Sequence, residues 1–326
     1  MNFAPVAIFA CRRPKHLERL LNSLANNSEA SETDLTIFIG GPKSEDDWNL
    51  VYNTISVAEK AIGFKSVKVQ TCFELTTANQ LIDYGVSSIL SSSSNVIVLE
   101  DDLIVRGDFL LYMNTSLERY QADEKVAQIS GWNFGVMHPG SPKETYLMSN
   151  TTSWGWATWQ RAWNLKSDLI ENFNWLVSRS NRIHSFNMSE TNDYLGMLEA
   201  VVNDGYLAWD VCWYLDCFRE NLLVLYPNSS LVINEGFDGS GLNFDFSFKW
   251  EKSFTEEPQD GFLFPEFTDA TQFRSIYLRN YRNWVRASIK KRVLFPYVIA
   301  RKVRQHQRYA RPGFYNNLWS FRTRKV

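Results

Sequence analysis

The first hundred residues alternate short apolar runs with longer amphipathic ones. Val6-Ala7-Ile8-Phe9-Ala10 is unbroken by any polar side chain and predicts a buried strand. Pro14 suits the first turn of a helix, where its missing N–H costs nothing. Leu17, Leu20, Leu21 and Leu24 follow at helical spacing. Leu35 to Ile39 predicts a second strand, stopped by Gly40-Gly41-Pro42. Trp48 to Ile62 predicts a helix with Gly63 past its end. Val67-Lys68-Val69 predicts a third strand, Ala78 to Leu90 a helix followed by a Ser91–Ser94 turn, and Val96 to Leu99 a fourth strand. This β-α-β-α-β-α-β order implies an α/β fold, Rossmann-like, with a mostly parallel sheet and helices on both faces.

The second part of the chain is less regular. Val126 to Ser130 predicts a strand entering Gly131-Trp132-Asn133, and the Pro/Gly-rich stretch from His138 to Pro142 follows it. Tyr146 to Ser149 predicts another strand. Ser153 to Trp163 then packs four Trp into ten residues (Trp154, Trp156, Trp159, Trp163). Its Trp154-Gly155-Trp156 start is not helical, whereas from Ala157 onward a helix is expected. The chain carries no internal repeat.

Composition places the chain among globular proteins with a large core: 326 residues, 44% apolar and 21% charged. Aromatics reach 15%, with 12 Trp. Flat indole faces pack cores and also line sugar-binding clefts. The net charge of −2 conceals an asymmetry. Residues 270–326 hold 15 Lys/Arg and no acid, which leaves 19 bases against 36 acids in the rest. Two regions follow: a body at 1–269 and a basic amphipathic extension at 270–326, expected to be helical. Ile276, Leu278, Trp284, Val285, Ile289, Val293, Leu294, Phe295 and Ile299 interleave with the bases there. Such a segment can lie on an anionic membrane surface or pack on the acidic body. No recognised nucleic-acid reader motif accompanies the charge, so no nucleic-acid partner is expected.

Cys11, Cys72, Cys212 and Cys217 show neither CxxC spacing nor a His/Cys ligand pattern, and read as reduced thiols. His16, His138, His184 and His306 are scattered, against a His-based metal site. Met1–Ala4 carry no base ahead of the first apolar run, and Arg12-Arg13-Pro14 cuts that run short, so it does not read as a secretory leader. No stretch reaches membrane-span length. The expected location is cytoplasmic, peripheral on the inner membrane face if the tail docks there.

The candidate chemistry gathers at strand ends. The fourth strand runs straight into Glu100-Asp101-Asp102. Adjacent carboxylates resist joint ionisation unless a cation compensates. Hard divalent cations are often held by one or two carboxylates, with phosphates completing the shell. A solvated turn is the plain alternative. Ligands in such sheets sit at the C-terminal strand ends, and Arg12-Arg13 and Gly40-Gly41 fall at that same edge. The guanidinium forks suit phosphate oxygens or a base edge, with a surface pair as the alternative. Asp210, within Trp209-Asp210-Val211-Cys212-Trp213, is an acid among apolar neighbours. Desolvation should raise its pKa and suit it to general-base work; a helix N-cap is the alternative. Gly236, Gly239 and Gly241 with Ser240 could close over a diphosphate, or form an ordinary loop.

In their order, Pro5–Arg13, Val98–Leu103, Ile129–Asn133, Gly155-Trp156, Trp209-Asp210 and the Gly236–Gly241 loop resemble glycosyltransferases of the GT-A fold. The likeness is to the N-acetylglucosaminyltransferase I type and to related bacterial sugar transferases. The resemblance implies that Asp102 is the direct ligand of Mn2+ or Mg2+, Asp101 contacts the ribose, Glu100 faces the donor sugar and Asp210 is the catalytic base. It implies that Arg12 or Arg13 binds the nucleotide, that Gly155, Trp156, Trp209 and Ser240 belong to the nucleotide-sugar site, and that the late loop orders over the donor. Two departures stand out. Gly40-Gly41 replaces the family's uracil-contacting acid, with Asp46-Asp47 several residues on, and Val211 replaces a second acid after the base.

The expected activity is an inverting, metal-dependent transfer from a nucleoside diphosphate sugar to a hydroxyl of a glycan or lipid-linked acceptor, in a setting such as polysaccharide biosynthesis. Two alternatives remain. A sugar-1-phosphate nucleotidyltransferase uses a similar sheet but normally carries a Gly-rich loop after strand one, which Cys11-Arg12-Arg13-Pro14 lacks. A non-catalytic carbohydrate-binding or scaffold protein at the membrane surface would bind no nucleotide with metal.

Overall fold

A computed structural model describes residues 3–42, 44–133, 141–188, 192–205, 208–236, 238, 254 and 257–265. Ser240, most of the late glycine-bearing loop and the basic extension at 270–326 lie outside the described residues.

The N-terminal part runs as expected: β1 (Val6–Ala10), α1 (Pro14–Ala25), β2 (Asp34–Gly40), α2 (Trp48–Glu59), β3 (Ser66–Cys72), α3 (Ala78–Leu90) and β4 (Asn95–Glu100). β5 (Leu103–Val105), α4 (Phe109–Arg119), β6 (Val126–Ser130), β7 (Thr145–Met148) and β8 (Trp156–Trp159) follow. After these come α5 (Gln160–Trp163), α6 (Leu169–Val177), α7 (Ser180–Phe186), α8 (Tyr194–Asp204), α9 (Trp209–Arg219), β9 (Leu223–Pro227) and β10 (Val232–Asn234). The main sheet has the order β3-β2-β1-β4-β8-β6-β9-β7, and β10 pairs with β5 in a small second sheet. β3, β2, β1 and β4 are mutually parallel, and β6 is parallel to β9. β8 runs antiparallel between β4 and β6, and β7 antiparallel along β9.

Period-two alternation sorts the strands between two cores. Val6, Ile8 and Ala10 face one side with Ile97 and Leu99, under the leucines of α1 and under Phe109, Leu110 and Met113 of α4. Ala7, Phe9, Val96 and Val98 face the other, under Leu81, Ile82 and Val86 of α3 and Trp213 and Cys217 of α9. A third apolar cluster joins Leu176, Phe186, Leu198, Val211 and Tyr214 of α6 to α9.

Two expectations need correction. The segment from Ala157 is strand β8 through Trp159, and the helix that follows lasts one turn. A four-residue apolar run cannot be told from a helix by periodicity alone. Its central place in the sheet decides, with all four side chains buried and Thr158 Oγ1 donating to the Ala127 carbonyl at 2.7 Å. Gly155, at φ +61°, makes the turn into the strand; a Cβ there would meet Val232 Cγ1 at 2.7 Å. Asp210 is not the N-cap of α9: Ala208 takes that position and Asp210 sits in the first turn.

Residues 257–265 form a strap along the body. Gln259 N–H donates to Asp108 Oδ2 at 2.7 Å, Leu263 exchanges backbone hydrogen bonds with Lys143 and Thr145, and Phe262 packs on Tyr112 with centroids 4.9 Å apart. Among the described residues, no helix is long and apolar enough to cross a membrane.

Candidate active site at the C-terminal edge of the sheet

β4 ends at Glu100, whose register partner is Phe9, and Asp101 N–H continues the ladder by donating to the Phe9 carbonyl at 3.0 Å. The backbone therefore fixes Asp101 beside the end of β1, where Arg13 caps the start of α1. The Arg13 guanidinium forks across two consecutive acids. Nη1 donates to Asp102 Oδ2 at 2.9 Å and Nη2 pairs with Asp101 Oδ1. Burial disfavours the Arg13 charge, but Asp101 and Asp102 more than offset this and hold the group protonated. Asp101 is 3% exposed. Burial, opposed by Arg13, pushes its carboxyl up to about 6. Glu100 is pushed up to about 8 by burial first and by the Asp102 charge second, with Asp101 and Asp210 adding to it.

Asp210 thus reaches the cluster from 110 positions further along the chain, carried by the first turn of α9. Enclosure raises its pKa, while the backbone N–H groups of Asp210 and Val211 oppose the rise. Trp209 fixes this helix start. Its N–H donates to Asn79 Oδ1 at 3.2 Å, and its ring stacks on Trp156 at 5.2 Å and 27°. The ladder continues through Trp163 to Trp213, with centroids 5.9 and 5.2 Å apart. α1 and α3 each follow a parallel strand and so start at this edge, and the first residue of α9 bonds to Asn79 near the start of α3. The positive ends of helix dipoles favour anions.

Arg12 is apart from the cluster and pairs with Asp47 at 3.0 Å. Gly155 and Trp156 are buried; Trp156 has 0% exposure and meets the site through the Trp209 ring. Two contributors escaped the sequence reading. His16, one helical turn after Arg13, brings Nε2 to 3.2 Å from Asp238 Oδ2, and its pKa is lowered by burial against the opposing pull of Asp238. Arg19 pairs with Glu235 at 2.6 Å, and Glu235 N–H donates to the Asp102 carbonyl at 2.8 Å. The i, i+3 and i, i+6 spacing from Arg13 was the available signal, since it puts all three side chains near one face of α1.

A hard cation fits this donor set. Asp102 offers carboxylate oxygen, and a Cβ on Gly236 would fall 2.2 Å from its Oδ2, so glycine there keeps that flank open. Among the described residues no three His, Cys, Asp or Glu side chains form a complete cage. A cation held by one carboxylate and completed by ligand phosphates needs none.

No family model matches the chain. A 141-residue stretch is 25% identical to the alpha-1,3-mannosyl-glycoprotein 2-beta-N-acetylglucosaminyltransferase of Arabidopsis thaliana, covering 41% of this chain and 32% of that protein. The chain thus spans about a third of that relative's length. Among solved structures, S. aureus TarS 1–349 is similar at TM-score 0.38 and 12% identity, over 69% of this chain and 60% of that one. The galactosyltransferase LgtC, in complex with donor and acceptor sugar analogs, gives 0.35 and 11%, over 68% and 72%. A 4-diphosphocytidyl-2C-methyl-D-erythritol synthase of Anaerococcus prevotii gives 0.36 and 12%, over 72% and 93%. Fold likeness at this level does not separate sugar transfer from nucleotidyl transfer, and the functional reading rests on the site.

Proposed function

We propose that the chain is a nucleotide-sugar-dependent glycosyltransferase of the GT-A type, acting with inversion. The observation that carries this reading is the meeting of Arg13, Glu100, Asp101, Asp102 and Asp210 at the end of β4, drawn from three separate elements. Asp101 and Glu100 would hold the ribose and donor sugar, and Arg13 the diphosphate. Asp102 would hold Mn2+ or Mg2+, which as a Lewis acid would stabilise charge on the leaving diphosphate. Asp210, with its raised proton affinity, would take the acceptor hydroxyl's proton as that oxygen bonds to the anomeric carbon. The bond to the diphosphate oxygen breaks on the opposite face, and its electron pair leaves with the diphosphate. A glycan or lipid-linked acceptor, and docking of residues 270–326 on an anionic inner membrane face, complete the proposal.

The test is a thermal-shift panel with UDP, GDP, CMP and dTDP, each with and without Mn2+. One nucleotide should raise Tm, and raise it further with Mn2+. No shift with any of the four under either condition overturns the reading. Release of pyrophosphate instead of nucleoside diphosphate would assign the site to nucleotidyl transfer.

A further inference from the structure

Building on that reading, we propose that Arg13 is a resident counter-cation of the acidic cluster, which gives up Asp102 when a diphosphate arrives and so couples cation binding to diphosphate binding. Arg13 holds Asp101 and Asp102 at once, with Nη1 2.9 Å from Asp102 Oδ2. The fork neutralises part of a cluster that also contains Glu100 and lies near Asp210. An added cation would therefore meet a carboxylate that already has a positive partner, on the oxygen nearest Gly236. Two positive groups on one carboxylate oxygen repel each other, so Arg13 lowers the cluster's affinity for a second cation. A guanidinium fork binds phosphate oxygens as well as it binds carboxylates. Arg13 starts α1, is 18% exposed and lies where that helix end favours anions, so an arriving diphosphate can take it over. Asp102 is then released to a cation. Because linkage is reciprocal, each ligand tightens the other by the same factor.

The experiment measures Mn2+ binding to the full chain by EPR titration. Wild type and Arg13→Gln are titrated with Mn2+ alone and with saturating UDP, GDP, CDP or dTDP. Wild type should bind Mn2+ weakly alone and about tenfold or more tightly with one nucleotide. Arg13→Gln should bind Mn2+ alone about tenfold more tightly than wild type and show a smaller nucleotide effect, the remainder coming from phosphate oxygens that complete the cation's shell. If it binds Mn2+ alone no better than wild type, the counter-cation role falls and the transferase reading stands. If wild type binds no Mn2+ even with nucleotides, the metal assignment falls too. Circular dichroism checks that Arg13→Gln folds; if it does not, Arg13→Lys decides. A single ammonium cannot span both acids, so Mn2+ affinity should lie above wild type, and a value equal to wild type overturns the proposal.

Discussion

Arg106 and Arg13 each bind an aspartate in this molecule, one buried and one partly exposed, and they are not equivalent. Arg106 grips Asp108 with Nε–Oδ1 at 2.6 Å and Nη2–Oδ2 at 2.8 Å; Nη1 reaches Ser229 Oγ at 3.2 Å, and Gln259 N–H donates to Asp108 at 2.7 Å. Both side chains are 2% exposed. One positive group meets one negative group, and that site is closed. Arg13 has the same chemistry at 18% exposure, but it faces Asp101, Asp102 and Glu100, and the Asp210 charge acts on Glu100 in turn. A fold that only needed an internal ion pair would stop at the first arrangement. Surplus acid around an accessible arginine leaves a place for ligands of both signs. Geometry alone therefore does not mark a functional ion pair; charge imbalance together with access does.

Substitutions can break that contrast from either side. The largest effect should fall on turnover. Asp210→Asn keeps the shape but removes the proton acceptor, and transfer at saturating acceptor should drop by about 10²–10⁴ while nucleotide-induced thermal shifts persist. Wild-type turnover in this variant would end the base assignment. The closed pair should answer in stability instead. Arg106→Ala strands Asp108 in the interior, a loss of about 3–5 kcal/mol, and Tm should fall by roughly 10 °C with nucleotide binding to the remaining folded protein unchanged. Replacing both members, with Arg106→Met and Asp108→Leu, should recover much of that loss. If Arg106→Ala melts like wild type, the pair is not the anchor its burial indicates.

The same division governs what could be read in advance. The parallel half was legible because β1, β2 and β4 are short apolar runs closed by Arg, Gly or an acid, and α1 and α3 bury aliphatic side chains at helical spacing. α3 matches its expected bounds at both ends. The mixed half was harder because β8 is held by neighbours distant in sequence, β4 and β6. Nothing within Trp156–Trp159 distinguishes a central strand from a helical turn. At the site, the strand-end acids and Asp210 could be picked out as residue types. The partners of Arg13 could not, because two arginines stood side by side and only the path of β1 into α1 sends one to the cluster and the other to Asp47. His16 was set aside as one of four scattered histidines, and its facing Asp238 is 222 positions later.

The smallest effect is the dependence of stability on pH, and it belongs to the unbalanced site. Burial and the Asp102 charge lift the Glu100 carboxyl to about 8 in the folded protein, against about 4.3 in an unfolded chain. Between those values the folded state keeps a proton that the unfolded state has released. Folding then takes up a proton, and stability falls as pH rises through the window. The nucleotide-free protein should melt at a lower temperature at pH 8 than at pH 5.5. Glu100→Gln carries a permanent neutral group, so the gap should narrow by about 2–4 °C for each kcal/mol removed. Some slope should survive, because burial also lifts Asp101 and Asp216 to about 6. Melting curves of the two proteins in chelator-treated buffer give the comparison directly. An unaltered slope in Glu100→Gln would mean that the proton sits elsewhere in the cluster, and that Glu100 is not the acid whose protonation relieves the crowding at this arginine site.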